Sequence, residues 1–338
     1  MRLFGRRRTA PAPVSAQPAQ PAQPALVVDP TLGDPAAAQL RAWLTQRDWP
    51  AARDFLSSVT DPDDRAFYLS IAADTPGVEQ WIGQCVAAEP HSTLPLLVQG
   101  ARAVYWAWDA RGEKRAEYTS QEQFREFFRR LRFAENCLDE VVERDPEDVT
   151  AWSFLVTSAR GRQVDRAEAQ RRFDEVVKRH PYHHMAHEQM LQYLCRKWFG
   201  SHEEMFAFAR SAAAESPPGS PLGELVATAH IERWLDLPSG EDAAYMTQPE
   251  VVAELHRAAD HSIRSPYYRP RPGWPAVHNV FAFAFCLAGE WAAAADQFDI
   301  IGDRIAWIWG YLGGNKVEAF ADMRAKAYRF GRYSYPSP

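Results

Sequence analysis

The chain has 338 residues, 46% apolar and 24% charged, with a formal net charge of −6. That is apolar enough for a folded core, while no apolar run approaches the ~18 residues of a membrane span. Alanine is abundant and isoleucine scarce, which favours helix over sheet and sets aside a β-barrel, a membrane protein and a disulfide scaffold.

The first 25 residues carry Arg2, Arg6, Arg7 and Arg8 and no acid, which leaves net −10 on the remainder. No apolar segment follows the arginines, so no export signal is expected. A Pro-Ala-Gln repeat runs instead to Pro24 and reads as a solvated linker. Residues 1–34 are therefore expected to form a disordered tail, with its arginines available as a weak tether to an anionic membrane or a partner. The acidic body argues against binding nucleic-acid backbone. The four cysteines, at 85, 137, 195 and 286, form no C-x-x-C pair. They read as buried, reduced thiols of a cytoplasmic protein.

From Pro35 onward apolar residues recur at three and four positions, the helical period. Glu89-Pro90, Asp145-Pro146, His180-Pro181, Ser216-Pro217 and Ser265-Pro266 punctuate the pattern, because the residue before proline is pushed out of the α region. The prolines are 56, 35, 36 and 49 residues apart. Eight helical hairpins are expected, over 36–60, 65–89, 95–144, 148–180, 183–216, 222–265, 276–300 and 303–330. Residues 35–330 would form one repeat domain and 331–338 a C-terminal tail. Longer loops at 109–121, 237–248 and 265–275 are places where function is often carried.

Within these hairpins Gly289-Glu290-Trp291 is followed by Ala294 and Phe298. Arg47-Asp48-Trp49 with Ala52 and Leu56 is a second copy. Ala134, Leu138 and Pro146 close another unit, as do Ala169, Phe173 and Pro181. This pattern of aromatic, small and large apolar residues resembles the tetratricopeptide-repeat superfamily, whose period is about 34 residues. Gly100 keeps the glycine that this family carries in a first helix, whereas Val156 replaces it. The resemblance implies an all-α fold, an α-solenoid of about eight stacked hairpins that buries a continuous core. It also implies peptide binding on the concave surface of the first helices. Matching positions are Ser153 and Thr157, then Glu188, Gln192 and Arg196, then Asn279 and Phe283. The Lys/Asn clamp that recognises chaperone tails is missing.

The chemistry-bearing residues are few. His183 and His187 are four apart, on one helix face, where two imidazoles suit a metal ion. His184 and Glu188 form a second such pair. His202 and His230 are the nearest candidates for a third ligand. The alternative is that these histidines pack or lie on the surface. His256, Asp260 and His261 make a smaller cluster. Phosphate-loop, dinucleotide and nucleophile-elbow motifs are absent. Tyr105-Trp106-Ala107-Trp108 reads as core, with an aromatic ligand pocket as the alternative.

The segment 265–275 joins Tyr267, Tyr268, Arg269, Arg271 and Trp274 to four prolines. Prolines favour an extended path, and Tyr, Trp and Arg dominate binding hot spots. The reading reached from the sequence is a non-enzymatic scaffold or adaptor that holds a protein or peptide in its groove and on this loop, without a cofactor. A metal-dependent or small-molecule enzyme built around His183 and His187 is the alternative.

Overall fold

The computed structural model describes residues 26–112 and 119–332. Every regular element among them is a helix. In chain order these are α1 (Pro35–Gln46), α2 (Trp49–Ser58), α3 (Pro62–Asp74), α4 (Ile82–Ala88), α5 (Leu94–Arg111), α6 (Gln121–Arg144), α7 (Val149–Arg162) and α8 (Arg166–Arg179). There follow α9 (His184–Tyr193), α10 (His202–Glu215), α11 (Glu224–Leu235), α12 (Glu241–Met246), α13 (Pro249–His261), α14 (Pro275–Ala288), α15 (Trp291–Ile301) and α16 (Lys316–Gly331). No helix among the described residues is long and apolar enough to cross a membrane.

Helix ends follow from local chemistry. Asp34 and Asp61 each precede a proline and accept a hydrogen bond from the first turn they cap. Asp148, Asp165, Ser201 and Asn315 cap in the same way, satisfying N–H groups that have no partner inside the helix. Ser120 and Gln123 form a reciprocal capping box at the start of α6. Four of the five X-Pro pairs terminate a helix directly, with Glu89, Asp145, His180 and Ser216 as the C-cap residues. At the fifth, α13 stops at His261, before Ser265-Pro266.

Helices α1, α3, α5, α7, α9, α11 and α14 form a row. α3 packs on α1 and α5, α5 on α7, α7 on α9, α9 on α11, and α11 on α14. α2, α6, α8, α10, α13 and α15 pack against members of this row from behind. Ala52, Ala134, Ala169 and Ala294 have no exposed surface or almost none. A small side chain there lets two helices approach. Leu56, Leu138, Phe173 and Phe298 fill the adjoining space, each worth roughly 1.5–3 kcal/mol of burial.

The row curls, because α3 also touches α7 and α9. The loop 265–275 spans the resulting gap. Arg271 bonds Asp64 at 3.0 Å, pairs with Asp61, and lies 3.8 Å from Asp63, joining positions 207 residues apart in the chain. Gly273 has φ +81°, and a Cβ there would stand 2.6 Å from the Phe67 ring. Only glycine permits that contact.

Residues 26–34, expected to be tail, lie against the helices. Asp29 accepts from Thr31 and Gly33, Thr31 is buried, and Leu26 packs on the core. The rest of the expected tail, residues 113–118 of the 109–121 insertion and positions 333–338 lie outside the described residues.

Arg271→Ala is expected to lower Tm by only a few degrees, since its pairs are partly exposed and worth about 1 kcal/mol. Protease cleavage within 265–275 should rise several-fold. Unchanged cleavage would show that Trp274 packing alone holds the loop.

Candidate functional site

The inner row encloses two adjoining cavities. One, of about 170 Å³, lies between α3, α9 and the 265–275 loop, walled by Phe67, Met185, Tyr268, Trp274 and Val277. The other, of about 340 Å³, is more polar and is lined by Tyr105, Thr157, Arg160, Gln189, Gln192 and Thr228. Ser70, Met185 and Glu188 face both, so the two form one chamber.

The start of α9 sorts its histidines to opposite sides. His183 is the N-cap, its Nδ1 accepting from the Ala186 N–H at 3.2 Å. One turn on, His187 Nδ1–H donates to the His183 carbonyl at 2.8 Å, and its ring packs on Phe173 and Phe208. Both rings are buried, and burial pulls their pKa values down to about 4, so they are neutral near pH 7. An unfolded histidine titrates near 6.5, so the unfolded chain binds more protons below that pH. Stability from these rings is full above about pH 6.5 and is lost as pH falls toward 4. Between pH 7 and 4.5 the Tm of the wild type is expected to fall more steeply than that of His187→Phe. Parallel profiles would contradict this.

His184 and Glu188 instead face the chamber. His184 Nε2 stands 3.2 Å from Glu224 Oε1, and its Nδ1 3.9 Å from Glu188 Oε2. Glu224 is the first residue of α11 and is 2% exposed. Burial disfavours the charged His184 ring, but the two carboxylates outweigh it and raise its pKa. Burial also raises the Glu188 pKa; His184 opposes this and Glu224 adds to it. Behind them Asp63 accepts from the His184 backbone N–H at 2.8 Å and meets His180 Nε2 at 3.1 Å. Burial alone would raise the Asp63 pKa, yet these bonds hold its carboxyl well below the usual range.

Arg160 lies across the chamber, at the end of α7. Its guanidinium lies over Trp108 and Trp198, at 5.0 and 5.2 Å from the ring centres. Its Nε is buried with no hydrogen-bond partner, and no carboxylate among the described residues pairs with it. Burial lowers its pKa, though a guanidinium stays charged. Nearby Glu232 is already engaged by Gln192, Lys197 and Tyr311.

Of the residues singled out from the sequence, Tyr105, Thr157, His184, Glu188 and Gln192 line the chamber, as do Tyr268, Arg269, Arg271 and Trp274 of the loop. Tyr268 and Trp274 are turned inward, both against His278. Arg269 bonds the carbonyls of Pro266 and Tyr268. Tyr267 is 69% exposed on the outside of the loop. Arg196 points outward to Asp236 at 2.9 Å. Asn279 is fully buried, holding the Pro275 and Arg304 carbonyls, the Ala306 N–H and the Trp309 indole N–H.

His202 pairs with Asp236, and His230 with Tyr245 and Glu254, both away from the α9 histidines. His256 meets Glu290 and Arg264, while His261 bonds the Ser216 carbonyl. Trp106 lies beneath Arg130 at 3.7 Å. The four cysteines are free, and burial pushes the thiols of Cys137, Cys195 and Cys286 up to about 12. These three are inert thiols at neutral pH.

Three residues in or behind the chamber wall carry no signal in the sequence. Arg160 reads as one more basic residue in a last helical turn, and Glu224 and Asp63 are far in sequence from the α9 residues they meet. The chain matches no protein-family model and no curated protein.

Proposed function

We propose that this protein is a tetratricopeptide-like α-solenoid that receives an acidic segment of a partner protein in its inner chamber, as a non-enzymatic interaction module. The curled row from α1 to α14 supports the solenoid reading. The observation that carries the binding reading is Arg160, a cation on the chamber wall with which no carboxylate among the described residues pairs. Burying a charge is costly unless it is paired, so a fold that keeps one beside a cavity favours an anionic group arriving from outside. Thr157, Gln189, Gln192 and Thr228 supply neutral hydrogen-bonding groups around it. Tyr268 and Trp274 supply apolar surface at the other end, where Glu188 marks the boundary. Four unpaired cysteines support a reducing compartment, hence the cytoplasm. The arginines of the first 25 residues, outside the described region, are a secondary tether in this reading.

The test is quantitative capture of a partner by wild type and by Arg160→Gln. Charge-assisted hydrogen bonds are worth about 1.5–3 kcal/mol, so the variant is expected to bind roughly 10-fold weaker or worse, with its Tm unchanged or raised. Equal capture by a folded Arg160→Gln would sink the reading. Joint replacement of Tyr267, Tyr268 and Trp274 by Ala separates the loop from the chamber. Loss of capture at unchanged Tm assigns recognition to the loop. Lost stability with capture retained assigns the loop to packing.

A further inference from the structure

A second constellation in the chamber wall is independent of Arg160. His184, Glu188 and Glu224 each offer a ligand atom, and these atoms all lie within 4.8 Å of one another. His184 Nε2 and Glu224 Oε1 are 3.2 Å apart, yet Nε2 makes no hydrogen bond, and Glu224 Oε2 has no partner either. Glu224 is 98% buried, so its carboxylate is shut off from bulk solvent. Two donors on one ion, each about 2.0–2.2 Å from it, stand roughly 3–3.5 Å apart. Off-axis approach at 3.2 Å is the spacing of two ligands sharing a cation, and it is poor for a direct hydrogen bond.

The geometry points to a divalent transition-metal site, of the Zn²⁺ or Mn²⁺ kind, formed by His184, Glu188 and Glu224. One imidazole with two carboxylates suits these ions better than Mg²⁺, which prefers an all-oxygen shell and keeps its water. Two carboxylates match the charge of the ion. Asp63 fixes the backbone of His184, as an outer partner does in metal sites. The base of α11 is equally fixed. A Cβ on Gly223 would lie 2.6 Å from the Ala258 carbonyl, so Glu224 is seated by close backbone packing. Three protein ligands leave coordination positions open, and both His184 and Glu188 line the cavity. The pair His183 and His187 belongs to no such group of three ligand atoms among the described residues.

The test uses untagged full-length protein stripped with EDTA and titrated calorimetrically with ZnCl₂, MnCl₂ and MgCl₂. The expected result is one Zn²⁺ or Mn²⁺ per chain, a raised Tm on loading, and much weaker Mg²⁺ binding. Glu224→Gln and His184→Gln should each weaken binding at least ~100-fold, while His202→Gln leaves it unchanged. If Glu224→Gln fails to fold by circular dichroism, Glu188→Gln, on the cavity wall, decides in its place. X-ray absorption of the loaded protein should show only N and O neighbours. No stoichiometric binding of either ion, or binding that survives in the folded ligand variants, overturns the assignment. The charged His184 ring between Glu188 and Glu224 would then be what holds the two carboxylates together.

Discussion

Arg172→Met should destabilise the protein by about 3 kcal/mol, a fall in Tm of roughly 4–6 °C. Arg172 is 92% buried at its side chain, between α6, α7 and α8. Its Nη1 donates to Glu135 Oε1 at 2.7 Å, to the Leu155 carbonyl at 3.0 Å and to Ser158 Oγ at 3.1 Å, and its Nε reaches Glu168 at 2.7 Å. Methionine fills much of the volume but leaves Glu135 charged and buried, held only by Ser158 and Arg162. The cost is that stranded carboxylate rather than a lost attraction, so Glu135→Gln added to Arg172→Met should recover part of the stability. Burial raises the Glu135 pKa, and Arg172 and Arg162 outweigh it to leave a net lowering. Stability from this carboxylate is therefore present above about pH 4.3 and lost in acid, where the gap between wild type and variant should narrow. A gap of under 1 kcal/mol at pH 7, by urea titration, would refute this account of the three-helix junction.

Phe298→Ala should cost about 4 kcal/mol. Phe298 has no exposed surface and meets Trp309 at 5.5 Å, Phe320 at 5.2 Å and Tyr328 at 6.4 Å between ring centres. Its loss opens a cavity that three large rings cannot close by small shifts, because Trp309 is pinned by its hydrogen bond to Asn279. The control is Trp307→Ala. That side chain is 47% exposed at the chamber rim, so its removal should leave Tm nearly unchanged. Similar losses in both variants would mean that the aromatic cluster is not the core of the last units.

The architecture was far more legible than the site, for a physical reason. Helix stops and starts are local. Proline bars the α region for the residue before it, so His180-Pro181 and Asp145-Pro146 could be read where they stand. The tight Ala294 and Phe298 packing repeats at a fixed offset and was equally visible. The chamber depends on how the row curls, and curl accumulates from small rotations that no single segment encodes. His184 and Glu188 were recognisable as a pair on one helix face, but Glu224, 36 residues beyond Glu188, comes from the next inner helix. In the sequence Arg271 suits a surface contact; its three aspartates stand more than 200 residues away in the chain and occupy it within the molecule. Asn279 was assigned to the groove by its register, yet its amide is spent on four partners that α14 and the following turn bring together.

Partner recognition by the inner face is the central claim. Its most direct measurement is hydrogen–deuterium exchange of the full chain with and without a captured partner. Binding in the chamber should slow exchange at residues 157–163, 185–195 and 225–232 and in the loop 265–275, while α6, α8 and α10 on the outer side exchange as before. Protection confined to those outer helices, with the inner row unchanged, would contradict the account.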